Sequence, residues 1–98
     1  MTAPSLTPTG GPKVTLVTAR HVYADGASWS RRVAVEGVPG ELVVGVERGK
    51  RVRQAYSAKW GHQWHGFVRT AEGRTLWDGR VQRGLGAVGL VACWQGRR

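Results

Sequence analysis

The sequence has little cysteine, few acidic residues and no long apolar stretch, and each scarcity excludes a class of protein. The single cysteine, Cys93, excludes a framework of internal disulfides and a cysteine-rich zinc site. No apolar run approaches the length of a membrane-spanning helix. The first residues show neither the positive start nor the apolar core of a signal peptide. We therefore expect no membrane association, and either a cytoplasmic protein or a subunit of a particle assembled inside a cell.

Groups that support catalysis are scarce as well. The six acidic residues are scattered without an evident pair, and Cys93 lies between apolar neighbours, where a thiol is usually inert. His62 and His65 are three residues apart, a spacing that directs the two rings to opposite faces of a strand. We expect no enzymatic activity, no metal and no cofactor.

Positive charge is what the sequence has in excess. Fifteen lysines and arginines against six acids give a formal net charge of +9, and twelve of the fifteen are arginine. The guanidinium group binds phosphate through two parallel hydrogen bonds and stacks on aromatic rings. A field of this sign attracts polyanions, of which nucleic acid, either DNA or RNA, is the commonest partner for a small domain. An anionic membrane or an acidic protein surface would be attracted by the same field.

Length and composition predict one domain with two short extensions. Ninety-eight residues suffice for a single modest core. Residues 1–12 hold three of the four prolines and the Gly10-Gly11 pair, which predicts a flexible arm. Residues 13–95 are expected to form one β-rich domain, and residues 96–98 a basic tail.

Valine-rich segments separated by turn residues predict a series of short strands. The expected strands are residues 13–23, 28–36, 41–46 and 51–60, followed by two strands within residues 59–83. A bulge near Thr18 would explain the mixed faces of the first strand, and Arg31 has inward parity, so it is expected near a strand end or a bulge. Pro39-Gly40 suits a type II turn, and Glu47-Arg48-Gly49 suits a three-residue loop.

The end of the chain leaves two alternatives open. Residues 84–94 form either a short helix, weakened by three glycines, or a closing strand with a bulge at Gly86. The expected fold is mainly β, a small antiparallel meander that curls into a barrel or half-barrel, with a short C-terminal helix as the favoured closing element.

The segment from Lys59 to Arg83 is the most informative, because it predicts a hairpin with the turn residues Glu72-Gly73. A two-residue loop places Val68 opposite Trp77 and Thr70 opposite Thr75. A three-residue loop, with Gly73 left-handed, would exchange Leu76 and Trp77 between the two faces. We favour the two-residue loop because it keeps Arg80 out of the core.

The outward side of the predicted hairpins carries cations and an aromatic ring. The candidate nucleic-acid-binding residues are Arg51, Arg53, His65, Phe67, Arg69, Arg74 and Arg80. Cations neutralise phosphates, and an exposed phenyl ring offers a base a surface on which to stack. Inward parity places Trp29, Trp60, Trp64 and Trp77 in the core, which leaves Trp94 as the candidate exposed tryptophan.

These patterns favour a non-enzymatic domain that binds nucleic acid through an arginine-bearing sheet face without strong sequence specificity. The alternative is a protein-interaction component of a phage or other mobile element, either a virion or assembly subunit or an inhibitor of a host factor. The placement of the charges separates the two. A continuous basic stripe with an aromatic at its centre favours nucleic acid, and dispersed arginines beside an exposed apolar patch favour a protein partner. The oligomeric state is not predicted.

Overall fold

Antiparallel strands and one C-terminal helix make up the protein, as seen in a computed structural model that describes residues 5–6, 12–53 and 60–96. The elements in chain order are β1 (Ser5–Leu6), β2 (Val14–Leu16), β3 (His21–Val22), β4 (Trp29–Val35), β5 (Leu42–Arg53), β6 (Trp60–Thr70), β7 (Thr75–Arg80) and α1 (Ala87–Trp94). The prediction of a mainly β domain closed by a short helix is confirmed. Two residues of the predicted N-terminal arm form β1, and the other residues before Pro12 lie outside the described ranges.

The strands form one sheet in the order β1-β2-β4-β5-β6-β7, with β3 pairing β4 beyond the end of β2. From β4 onward each strand pairs with the next one in the chain, which is the meander that the sequence predicts. Among the described strands β1 and β7 lie at opposite edges and do not pair. The sheet is therefore open, which fits the predicted meander or half-barrel, whereas closure into a barrel is not observed among the described strands.

The predicted first strand is divided into β2 and β3 by a bulge at Thr18. The N–H groups of Val17 and Thr18 both donate to the carbonyl of Arg32, at 2.9 and 3.4 Å, which is typical of a bulged strand. The guanidinium of Arg31 donates to the Thr18 carbonyl at 2.7 Å. The bulge near Thr18 and the position of Arg31 beside it are both confirmed.

One face of the sheet is covered by α1 and holds the core. The buried apolar side chains come from four strands and the helix: Val14, Trp29, Val33, Val35, Leu42, Val44, Val46, Val68, Ala87, Leu90 and Val91. We call this the covered face. The opposite side, the open face, has no element packed on it among the described residues.

The helix forms although residues 84–94 contain three glycines. Gly84 and Gly86 precede the first helical residue, so only Gly89 weakens the helix interior. At Gly89 a Cβ atom would collide with the side chain of Leu85, so the glycine lets the preceding segment pack against the helix. Leu90 and Val91 are fully buried against the sheet, and this burial favours the helix over a closing strand.

The predicted loop at Glu47–Gly49 is wrong, because β5 continues through it as a twelve-residue strand. The pairing partners shift by one residue between Arg48 and Arg51, so Gly49 and Lys50 form a bulge opposite Gln63. Gly49 lacks the positive φ that the predicted loop required. The separate strand predicted for residues 51–60 is therefore replaced by the end of β5 and the first residue of β6, and residues 54–59 lie outside the described ranges.

The hairpin between β6 and β7 has the three-residue loop, so the favoured two-residue loop is wrong. The Thr70 N–H donates to the Arg74 carbonyl at 2.8 Å, and Gly73 has a φ of 97°. Thr75 therefore pairs with Arg69 instead of Thr70. Gly73 supplies the left-handed residue that a bulged three-residue loop requires.

A bulge at Leu76 compensates for the extra loop residue. The partners shift by one residue there, so Val68 still lies opposite Trp77 and Gly66 opposite Gly79. Trp77 thus stays on the covered face, where it packs against the core. The predicted register beyond the turn is confirmed, although the loop that was expected to set it is not the one observed.

Candidate nucleic-acid interface

The seven candidate binding residues are divided between the two faces of the sheet. Successive residues of β6 alternate, so His65, Phe67 and Arg69 lie on the open face. Cross-strand partners lie on the same face, and Arg80 pairs with His65. Arg74 is exposed at the turn, where its N–H donates to the Thr70 hydroxyl.

Arg51 and Arg53 lie on the other face, contrary to the prediction. They pair with His62 and Trp60, both of which share the face of Val68. The bulge at Gly49 is the physical cause, because one extra residue in β5 reverses the alternation beyond it. The single arginine surface expected from the sequence is therefore not formed.

Phe67 is not an exposed stacking ring, because only 3% of it is accessible to solvent. Its cross-strand partner is Gly45, and the phenyl ring lies over the backbone there: a Cβ atom on Gly45 would come within 2.5 Å of the ring. The Arg69 guanidinium lies 4.0 Å from the ring centre on the solvent side. Phe67 is thus a buried residue on the open face, and its burial excludes the base-stacking role that was expected of an exposed ring.

The open face also carries acids between its cations. Glu47 lies 3.9 Å from Arg69, and Glu41 lies 3.3 Å from Arg32. Asp78 pairs across the strands with Phe67, and it has no ion pair within 4.0 Å among the described residues. Alternating signs make this face a poor continuous surface for a polyanion.

A different cluster of cations and rings lies where β5 and β6 extend past the helix. Five side chains share this surface: Arg51, Arg53, Trp60, His62 and Trp64. We call it the ribbon face. It continues the covered face, but α1 does not reach its outer end, so Trp60 is 59% exposed. The expected core position of Trp60 is therefore wrong, although its parity was predicted correctly.

Cations lie close to both tryptophans of the ribbon face. The Arg51 guanidinium is 5.9 Å from the Trp60 ring centre, and the Arg83 guanidinium is 5.3 Å from that of Trp64. Both distances are within the range of cation–π attraction, about 6 Å. Neither Arg51, Arg53 nor Arg83 has a carboxylate within 4.0 Å in the part of the chain that the structure describes. Their charges are therefore available to an anionic ligand.

The tight loop between β3 and β4 sets the inner limit of this surface. Asp25 accepts hydrogen bonds from the hydroxyl and N–H of Ser28 and from the N–H of Ala27. These bonds, the Ser28 hydroxyl foremost, lower the pKa of Asp25 to about 2. The resulting carboxylate lies 4.0 Å from the Arg48 guanidinium. Arg48 pairs with Trp64 in the strands, but its charge is partly neutralised, and it contributes less to the ribbon face.

Among the other tryptophans, one more differs from the prediction in its exposure to solvent. Trp94, the predicted exposed ring, is half-buried against the core. Trp29 is buried beneath the Arg20 guanidinium, 3.9 Å from the ring centre. Trp64 and Trp77 are half-buried. The exposed tryptophan of the described chain is Trp60.

Sequence reasoning missed three members of the ribbon face, Trp60, His62 and Trp64 on β6. It also missed Arg83, which follows β7 and lies over Trp64. A signal for three of them is the alternation Trp60-x-His62-x-Trp64, which places three rings on one face of any strand. What the sequence does not show is that the helix ends short of Trp60. No comparable pattern in the sequence indicates that Arg83 lies beside this surface.

A concavity of about 650 Å³ lies between β7 and α1. Its wall is mainly apolar and is formed by Trp77, Arg80, Val81, Gln82, Leu85, Gly89, Ala92 and Cys93. It lies at the β7 edge of the sheet, and the ribbon-face residues do not line it.

His62 and His65 lie on opposite faces, as their spacing predicts. Within the described ranges no three metal-ligating side chains are grouped, and no helix is long and apolar enough to cross a bilayer. Comparison with known protein families, with curated proteins and with solved structures finds no match.

Proposed function

We propose that the protein is a non-enzymatic nucleic-acid-binding domain and that the ribbon face is its binding surface. The observation that carries the proposal is the exposure of Trp60 beside arginines that have no carboxylate within 4.0 Å among the described residues. An exposed tryptophan costs free energy in water, and next to guanidinium groups it provides both contacts that a nucleic acid needs. The overall charge of +9 adds a long-range attraction.

The division of labour follows from the positions of the groups. Arg51 and Arg53 pair with His62 and Trp60 on one face, so phosphates held by these arginines bring their bases toward the rings. Arg83 lies over Trp64 and adds a third cation at the inner end. None of these residues belongs to a motif that reads base edges, so we propose binding without strong sequence specificity.

The proposal predicts a specific salt dependence. Three phosphate contacts, from Arg51, Arg53 and Arg83, correspond to a slope of about −2 for the logarithm of affinity against the logarithm of salt on a single strand. Changing Arg51 and Arg53 together to Ala removes two contacts and should reduce that slope to about −0.7. Fluorescence anisotropy with a labelled oligonucleotide measures it.

The matched control is the double change of Arg74 and Arg80 to Ala. Both variants lose two positive charges, but Arg74 and Arg80 lie at the turn and on the open face. The control should keep a slope near that of the parent protein, about −2. Equal effects of the two variants would show that binding follows net charge alone, and the ribbon face would lose its role.

If the parent chain binds no oligonucleotide at low salt, we propose the alternative function, which is binding of a protein partner. The observation that would then carry weight is the apolar concavity between β7 and α1, with Arg80 at its side. An extended apolar segment with an acidic residue opposite Arg80 is the matching chemistry. The oligonucleotide titration therefore decides between the two classes.

A further inference from the structure

We infer that the ribbon face takes a single strand of nucleic acid in an extended, unstacked conformation, with bases lying against successive rings of β6. This inference rests on the proposed function and specifies its ligand. Three rings, those of Trp60, His62 and Trp64, occupy alternate positions of one strand and therefore share one face.

The spacing of the rings selects the ligand. A strand rises about 3.4 Å per residue, so rings two residues apart are separated by about 7 Å. Stacked bases along one strand of a duplex are only about 3.4 Å apart. Neighbouring bases can therefore reach neighbouring rings only if the chain is stretched to about twice the duplex rise. Such a conformation is accessible to a single strand and not to a duplex.

The environment of each ring supports this order. Trp60 is 59% exposed and forms the principal platform at the outer end. His62 is exposed next to it, and its Nδ1 lies 3.2 Å from the Gly49 carbonyl, which fixes the plane of the imidazole. Trp64 is half-buried and carries Arg83, so the inner end offers a smaller ring surface with a cation above it.

The bulge at Gly49 completes the arrangement. Because it reverses the alternation of β5, Arg51 and Arg53 lie directly opposite His62 and Trp60. Each of the two outer rings thus has a cross-strand arginine at its side. In a regular strand continuing from Arg48, the residues at these places would be Lys50 and Val52, and the apolar Val52 would stand where a phosphate needs a cation.

Three probes of equal length test the inference: a single-stranded oligothymidylate, an abasic strand with the same phosphates, and a duplex. Each is titrated against the parent chain, Trp60→Ala and Trp60→Phe at one low salt concentration, with anisotropy as the readout. We expect the parent to bind the oligothymidylate about tenfold or more tightly than the abasic strand, because each stacked base contributes substantially. Trp60→Ala should lose most of this preference, because the principal ring is removed while His62 and Trp64 remain, and Trp60→Phe should restore most of it.

The outcomes separate the inference from the proposed function. If the parent binds the abasic strand or the duplex as tightly as the oligothymidylate, the surface holds phosphates alone and base stacking on the rings is refuted. In that case nucleic-acid binding itself still stands. If none of the three probes binds, the proposed function fails and the inference fails with it.

Discussion

Replacing Phe67 by alanine distinguishes the observed fold from the surface that the sequence suggests. Phe67 is 3% exposed, with Gly45 beneath its ring and the Arg69 guanidinium above it. Truncating a buried phenylalanine to alanine costs about 3–5 kcal/mol. For a domain of this size each kcal/mol lowers the melting temperature by about 4–8 °C. The variant should therefore melt well below the parent, because total stability is only about 5–15 kcal/mol.

Under conditions in which the Phe67→Ala variant is folded, its affinity for oligonucleotides should equal that of the parent, since a ring covered on both sides contacts no base. Trp60→Ala is the matched control on the same strand. Its free energy of unfolding should lie within about 0.5 kcal/mol of the parent value, because the Trp60 ring is largely exposed. Its affinity for a single strand should be lower than that of the parent. Circular dichroism melts and oligonucleotide titrations of both variants provide the comparison. A Phe67→Ala variant that melts like the parent but binds a single strand more weakly would refute the burial of Phe67.

Two further predictions concern stability. Gly45→Ala should lower the free energy of unfolding by about 1–3 kcal/mol, because the new Cβ atom collides with the backbone carbonyl oxygen of Trp29 and with the Phe67 ring. Gly84→Ala, with open space around it, should change little, and urea titrations of the two variants measure the difference. Because the pKa of Asp25 is lowered to about 2, its carboxylate contributes stability that is fully present above about pH 4 and is lost as the pH falls toward 2. Asp25→Asn should therefore be less stable than the parent at neutral pH, and the difference should shrink in acid; a difference that stays constant down to pH 2 would contradict this role.

The alternation of residues predicted the two sides of β6 and β7 correctly. His65, Phe67 and Arg69 share one side, and Trp64 and Val68 share the other. The exposure of each side chain was not predictable in the same way, because it depends on neighbours from other elements. Phe67 is buried because its cross-strand partner is Gly45, which leaves room for the ring. This pairing follows from the long strand β5, which was predicted as two separate strands.

Bulges are the second reason why the faces of some residues were not predicted correctly. Each of them inserts a single residue, and a single residue exchanges the faces of everything beyond it. At Leu76 the bulge cancels the extra residue of the loop, so the register that was predicted with the wrong loop is still observed. At Gly49 nothing cancels the bulge, and Arg51 and Arg53 change sides. Leucine at position 76 gives no sign of a bulge, and Gly49 fits either a bulge or the loop that was predicted there.

The most direct test of the ribbon face is to observe the indole N–H resonances of the five tryptophans while a single-stranded oligonucleotide is added. Each resonance is assigned by a single Trp→Phe variant. We predict that the signals of Trp60 and Trp64, which lie on the ribbon face, shift, and that those of Trp29, Trp77 and Trp94, which do not belong to it, stay in place. Shifts confined to Trp77 and Trp94, beside the helix, or no shifts in a sample that binds the oligonucleotide, would contradict the assignment of binding to the ribbon face.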